Sequence, residues 1–169
     1  NATAVTLNGS ISASTSGTGT VVLGDGATAA TGVGAVTQPN GSITADTITI
    51  RSTTGNVTLN SATNNATNLT AVTAGDLSYT DADAINFLGT NTIGGALSVT
   101  TNGAITQSVG ALSVTNGATF DTSANSGIGT VSITARNGTP TTLTVNPSQI
   151  AGDFNLDTGT RNIAFSGSG

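Results

Sequence analysis

Apolar and polar residues alternate along this chain in short runs: Val57-Thr58-Leu59, Leu77-Ser78-Tyr79, Leu97-Ser98-Val99, Leu112-Ser113-Val114, Val131-Ser132-Ile133, Phe154-Asn155-Leu156 and Ile163-Ala164-Phe165. A period of two sends successive side chains to opposite faces of an extended backbone. Each run therefore predicts a half-buried strand with its apolar residues on one side. Thr, Val and Ile fill the chain and helix formers other than Ala and Leu are nearly absent, so propensity agrees with an all-β protein.

The spacing of the runs is more informative than the runs. Gly55-Asn56-Val57-Thr58-Leu59, Gly75-Asp76-Leu77-Ser78-Tyr79 and Gly95-Ala96-Leu97-Ser98-Val99 begin 20 residues apart, twice in succession. A second copy of Gly-Ala-Leu-Ser-Val starts at Gly110, an offset of 15, and Gly129-Thr130-Val131-Ser132-Ile133 follows 19 later. Loops of unequal length account for a loose period. A repeat near 20 residues with short strands is one rung of a parallel β-solenoid, in which no coil buries its apolar face without its neighbours. The chain length then predicts roughly eight rungs and, at about 4.8 Å per rung, a rod on the order of 40 Å long. Five Asn-Gly pairs (Asn8-Gly9, Asn40-Gly41, Asn102-Gly103, Asn116-Gly117 and Asn137-Gly138) suit the corners, since both residues tolerate positive φ. The same pairs also signal hairpins, which makes an antiparallel β-sandwich the alternative architecture. Hairpins alone would not require the phrase to recur at 20, which favours the solenoid, taken as a single domain over residues 1–169.

Composition narrows the chemistry. The 169 residues include 35 Thr, 23 Gly, 22 Ala, 17 Ser and 17 Asn, and no Cys, Met, Trp or His; all three cations are Arg and all eight anions are Asp. Without Cys or His there is no thiolate nucleophile, no disulfide, no imidazole acid-base pair and no thiolate or imidazole metal site. Without Lys there is no Schiff base and no Lys-Asn isopeptide bond. A net charge of −5 argues against nucleic acid, whose phosphates require a Lys/Arg footprint. No apolar stretch has the length of a membrane-spanning helix, and one Tyr with four Phe cannot build the aromatic girdles of a membrane barrel. Low charge together with regularly placed Val, Ile, Leu and Phe favours an ordered chain over a disordered one.

The phrases GALSVTTNGAITQ from Gly95 and GALSVTNGATFDT from Gly110, within the segment Asp81 to Thr122, carry a resemblance. That segment resembles the repeat regions of filamentous-haemagglutinin-like proteins, large adhesins exported by bacteria through two-partner or autotransporter-type routes. The flanks Gly55 to Asn60 and Gly129 to Thr134 continue the style, which covers about half the chain. The resemblance implies a right-handed parallel β-helix, an extended stalk and a location at the bacterial cell surface or secreted from it. It implies no catalytic residues.

Two groups of carboxylates merit weighing. Asp153, Asn155 and Asp157 alternate as the first oxygen ligands of a calcium loop do, but glycine comes one position late and Ala164 stands where the closing Glu belongs. Asp81 and Asp83, with Asp76 nearby, would lie about 6.5 to 7 Å apart on one strand face, a separation that glycosidases use. Either group is a weak Ca²⁺ candidate, and in both cases a solvated polar strand face or turn is the simpler expectation. Seven Asn-x-Ser/Thr sequons match chance in so Asn- and Thr-rich a chain. Thr-rich stretches such as Thr44 to Thr49 and Thr141 to Thr144 invite an ice-binding comparison, yet Thr pairs fall at irregular sequence intervals.

The expected function is a non-enzymatic, extracellular stalk or fibre module of a bacterial adhesin, without cofactor. The expected partners are neighbouring repeats of the same parent chain or further copies stacked end to end, with a host-cell or glycan receptor elsewhere in the assembly. No capping element is evident at Ala2-Thr3-Ala4-Val5 or at Ile163-Ala164-Phe165, so the chain reads as a segment of a longer repeat protein or as a self-polymerising filament subunit. A carbohydrate-binding or carbohydrate-cleaving β-helix is the third alternative.

Overall fold

A computed structural model describes residues 2–13, 18–24, 32–107 and 109–122, together with the backbone of three later strands, Val131–Thr134, Leu143–Thr144 and Phe154–Asp157. The chain winds in rungs. The first holds β1 (Ala4–Thr6), β2 (Ile11–Ser12) and β3 (Thr20–Leu23); the second holds β4 (Ala35–Thr37) and the long β5 (Ile43–Ser52); the third holds β6 (Val57–Leu59) and the long β7 (Asn65–Thr73). The fourth and fifth consist of β8 (Leu77–Asp81), β9 (Ile85–Phe87) and β10 (Asn91–Ile93), then β11 (Leu97–Thr101), β12 (Ile105–Gln107) and β13 (Leu112–Val114). After β14 (Ala118–Asp121) come β15 (Val131–Thr134), β16 (Leu143–Thr144) and β17 (Phe154–Asp157).

Strands of successive rungs stack in three ladders, and every strand pairing among the described residues is parallel. The first ladder runs β1-β4-β6-β8-β11-β14-β16. The second joins β2, the first half of β5, the first half of β7, β9, β12, β15 and β17; the third joins β3, the second halves of β5 and β7, β10 and β13. Strands β5 and β7 thus serve two ladders, bending between them. At the bend the in-out alternation slips: Asp46 and Thr47 are adjacent and both half-buried, and the register passes from Ala45–Ala66 to Thr47–Asn68.

Register sets the repeat. Val36, Val57, Leu77 and Leu97 pair in succession, so the offsets are 21, 20 and 20 residues. Four turns, from Ala35 to Val114, keep this pitch. The first turn is longer, since Val5 pairs with Val36, and the last offset in the same ladder, Ala118 to Leu143, is 25. These long turns are why the first ladder has seven strands where a uniform 20-residue period predicts about eight. Stacked at about 4.8 Å, seven strands extend over roughly 29 Å.

The core is the inside of this coil. Val36, Val57, Leu77 and Leu97 form one buried column, and Leu59, Tyr79, Val99 and Phe120 form the next. Ile48, Leu69 and Phe87 rise beside them from the second and third ladders. Like residues stack on like because a parallel in-register ladder places the same rung position directly above its predecessor. The alternation of apolar and polar positions therefore closes one interior along the described coil, from Val21 to Phe120.

The four Asn-Gly pairs among the described residues turn corners and make no hairpins, and the parallel pairing of the strands removes the antiparallel sandwich. Asn8-Gly9 lies between β1 and β2, Asn40-Gly41 between β4 and β5, Asn102-Gly103 between β11 and β12, and Asn116-Gly117 between β13 and β14. Asn137-Gly138 and Ile163-Ala164-Phe165 lie outside the described residues. Gly41 has φ +80°, and a Cβ there would stand 2.4 Å from the backbone of Gly9 one rung away. At this corner glycine is required by the backbone conformation and by the close approach of the rungs.

The 15-residue offset has a different meaning from the 20-residue one. Leu97-Ser98-Val99 belongs to the first ladder, Leu112-Ser113-Val114 to the third and Val131-Ser132-Ile133 to the second. The phrase is reused on all three sides of one coil. It does not mark a shortened rung.

Candidate functional site

Where β4, β6, β8, β11 and β14 leave the first ladder, the backbone turns away from the regular strand pairing. Buried polar side chains take over. Gln38, Asn64, Asp81, Thr101 and Thr122 follow or end β4, β6, β8, β11 and β14, and all five are buried. They form a polar column along one inner corner of an otherwise apolar coil.

Asn64 is fully enclosed. Its Oδ1 accepts from Gln38 Nε2 at 2.8 Å and from the Ile43 amide at 2.8 Å, while its Nδ2 donates to Gln38 Oε1 at 3.0 Å and faces the carbonyls of Leu59 and Thr80 at 3.2 Å each. The pair ties three rungs together. Thr101 closes its own turn by donating to the Gly103 carbonyl at 2.7 Å. At the second corner Asn91 does the same work, accepting from the Ala71 amide at 2.7 Å and donating to the Gly89 carbonyl at 3.1 Å.

Asp81 is the one ionisable member of the polar column, and it is 1% exposed. Its Oδ2 accepts from the Ala66 amide at 3.0 Å and from the Tyr79 hydroxyl at 2.5 Å, and its Oδ1 accepts from the Asp83 amide at 2.9 Å. Burial pushes the carboxyl above the usual Asp range; the Tyr79 hydrogen bond and the two amides pull it back, and the charge of Asp83 adds a smaller upward push. The Tyr79 phenol is pushed up as well, by its own burial first and then by the neighbouring carboxylate.

The two carboxylates expected on one strand face are separated. Asp81 ends β8 pointing inward, whereas Asp83 sits on the exposed turn and accepts from Asn65 Nδ2 at 2.8 Å. The strand stops at Asp81, so the two-residue spacing that would align them does not apply. Asp76 lies at the corner before β8, where its amide donates to Asn56 Oδ1 at 3.0 Å and its own Oδ1 accepts from the Ala96 amide at 2.8 Å. This is a rung-to-rung relay on the outside of the coil. In the second group, Asn155 and Asp157 occupy β17 at register positions opposite Ser132 and Thr134, and Asp153 lies outside the described residues. Among the described residues no three acidic side chains gather to hold a metal.

Register reveals two outer columns that sequence intervals conceal. Thr6, Thr37, Thr58, Ser78, Ser98 and Thr119 occupy one position of the first ladder in six successive strands, and the backbone of Thr144 takes the same register position in the seventh. The unequal turns scatter these residues along the chain while the ladder aligns them. Asn68, Asn86 and Thr106 form a second column, linked by Asn86 Nδ2 to Asn68 Oδ1 at 2.8 Å and Thr106 Oγ1 to Asn86 Oδ1 at 3.2 Å. Sequence inspection had no means of finding Gln38, Asn64 or Asn91, because a polar residue becomes conspicuous only once its rung position is seen to be an inward one.

Residues 74–137 match a family described as repeats of unknown function (DUF5649). The match opens at the corner before β8 and ends beyond β15, about three rung lengths. No curated protein and no solved structure matches the chain.

Proposed function

We propose that this chain is a structural segment, a non-enzymatic stalk module of an extracellular bacterial adhesin. The observation that carries this reading is the unbroken stacking of rungs from Ala35 to Val114, with one closed core and an outer face of small polar residues. The buried polar groups described above are taken up by the protein's own backbone and side chains, so their chemistry is spent on holding rungs together. The resemblance of the Asp81 to Thr122 segment to filamentous-haemagglutinin-like repeats supplies the bacterial surface context. A match to a repeat family over three rungs is consistent with a coil that continues by repetition.

Small-angle scattering of the purified chain over a concentration series, with glycan binding and glycan hydrolysis assayed on the same material, tests the proposal. A stalk module gives a discrete elongated particle whose length does not grow with concentration, and it leaves glycans uncleaved. Scattering that lengthens steadily with concentration would replace the stalk with a filament subunit. Hydrolysis of a glycan, lost in an Asp81→Asn/Asp83→Asn double variant that still scatters as the folded elongated particle, would replace it with a carbohydrate-active β-helix.

A further inference from the structure

The buried Asp81 has no role in a stalk beyond the hydrogen bonds it accepts, and an asparagine would avoid burying a charge. Geometry shows why asparagine does not serve. Three donors converge on the two oxygens: the Ala66 amide and the Tyr79 hydroxyl on Oδ2, the Asp83 amide on Oδ1. An amide side chain places its NH₂ against one of the two backbone N–H groups, whichever way it is turned. Only a carboxyl group offers acceptors on both sides.

A carboxyl can also take up a proton here. The Tyr79 hydroxyl donates to the carboxylate, yet it can turn and accept from a protonated Oδ2, since a phenol oxygen does both. In that state the carbonyl Oδ1 still accepts from Asp83, and the hydroxyl oxygen retains a lone pair towards Ala66. One proton enters from solvent and no hydrogen bond of the corner has to be given up.

We propose that Asp81 and Tyr79 form a rung lock that holds in both protonation states of the carboxyl, and that the coil is strengthened in mild acid because protonation removes a charge from a site that is 1% exposed while every hydrogen bond of the corner keeps a partner. The lock joins β7, through Ala66, to β8 and to the turn that leads into β9. The groups facing Asp81 leave the response to this pair. Strand β8 presents Tyr79, and the turn presents the exposed Asp83. The segment entering β7 presents Asn64, Asn65 and Ala66, and β11 presents Thr101 opposite Asp81, none of which titrates. Among the described residues no cation faces the carboxylate; Arg51 pairs with Val72 in the third ladder. The upward displacement of the carboxyl's titration by burial agrees with this arrangement. The inference stands independently of the stalk reading, because it concerns the corner alone.

Two measurements on the intact chain decide it. Carboxyl ¹³C NMR follows Asp81 directly, and its midpoint is expected above the ordinary value of 3.8, rising further in Tyr79→Phe because the phenol's hydrogen bond favours the ionised form. Urea unfolding of the wild type and of Asp81→Asn between pH 7 and pH 4 follows the consequence. The ratio of unfolding constants, variant over wild type, should increase as the pH falls. An Asp81 midpoint at or below 3.8, or a ratio that is flat or decreases in acid, would overturn the proposal. If Asp81→Asn does not fold, the midpoints of the wild type and of Tyr79→Phe still decide between the two outcomes.

Discussion

Gln38 and Asn64 exchange a reciprocal pair of amide hydrogen bonds, 2.8 and 3.0 Å long, inside the coil and 26 residues apart in sequence. Each amide presents its oxygen to the other's NH₂, and Asn64 has enough capacity left to accept the Ile43 amide. A one-residue slip that turned Asn64 outward would leave the Gln38 oxygen, the Gln38 NH₂ and the Ile43 N–H buried without this partner. The pair thus fixes register as well as contributing to stability.

Removing it tests that role. Asn64→Ala leaves the Gln38 amide and the Ile43 N–H unsatisfied in the core and should cost about 3 kcal/mol in urea unfolding, at one to three per buried unpaired group. Combined with Gln38→Leu, the loss should be smaller than the sum of the two single losses, since one unpaired amide is then gone. Strict additivity would show that the two side chains do not act as a pair.

The corner at Gly41 predicts a second loss. Its φ of +80° is unfavourable for any residue with a Cβ, and that Cβ would collide with the backbone of Gly9 at 2.4 Å. Gly41→Ala should destabilise the fold by about 2 kcal/mol or more, beyond the ordinary range for an exposed turn. Gly9 has positive-φ demands nowhere and open space around it, so Gly9→Ala should be close to neutral in the same thermal melt.

The alternation of inward and outward positions predicts contrasting effects within a single ladder. Leu77→Ala removes a fully buried side chain between Val57 and Leu97 and should cost about 2 to 5 kcal/mol. Ser98→Val alters an exposed position of the same ladder and should stay within about 0.5 kcal/mol. Equal effects at the two sites would contradict the assigned register.

Tyr79 carries the alkaline limit. Its phenol is raised from an ordinary value of 10.0, so its contribution is fully present below pH 10 and is lost as the pH climbs beyond it, when a buried phenolate has to form. Asp81 is raised from 3.8, so its contribution is fully present below that value and declines as the pH rises through its folded-state titration. Tyr79→Phe should cost about 1.5 to 3 kcal/mol at neutral pH, where the partner is ionised, and less in acid. Denaturation curves of the variant and the wild type at pH 4, 7 and 10.5 check all three parts.

Leu97 and Leu112 show how much of this fold was legible in the sequence. Both open Leu-Ser-Val runs whose alternation predicts strands, and strands they are; the 20-residue series through Val57, Leu77 and Leu97 is the rung period of the first ladder. The local alternation carries that information because each strand buries its own apolar side. The assignment of Leu112 to a different side of the coil was not legible, since identical strands on different faces look alike in sequence. The long strands β5 and β7 were hidden for a related reason: each bends between two ladders, and the slip in alternation at Asp46-Thr47 breaks the period. Asp81 looked like an exposed acid because it stands beside Asp83. Only the end of β8 distinguishes the inward residue from the outward one.

The chain contains no cysteine, so pairs of single cysteines can carry spin labels without background. Labels at Thr37 paired in turn with Thr58, Ser78, Ser98 and Thr119 probe one outer column of the first ladder. In a stacked coil the electron-electron distance increases at each step by about 4.8 Å, reaching about 19 Å of backbone separation at Thr119. Distances that fail to increase in this order, or that fold back on themselves, would contradict the stacked coil on which the proposed stalk function rests.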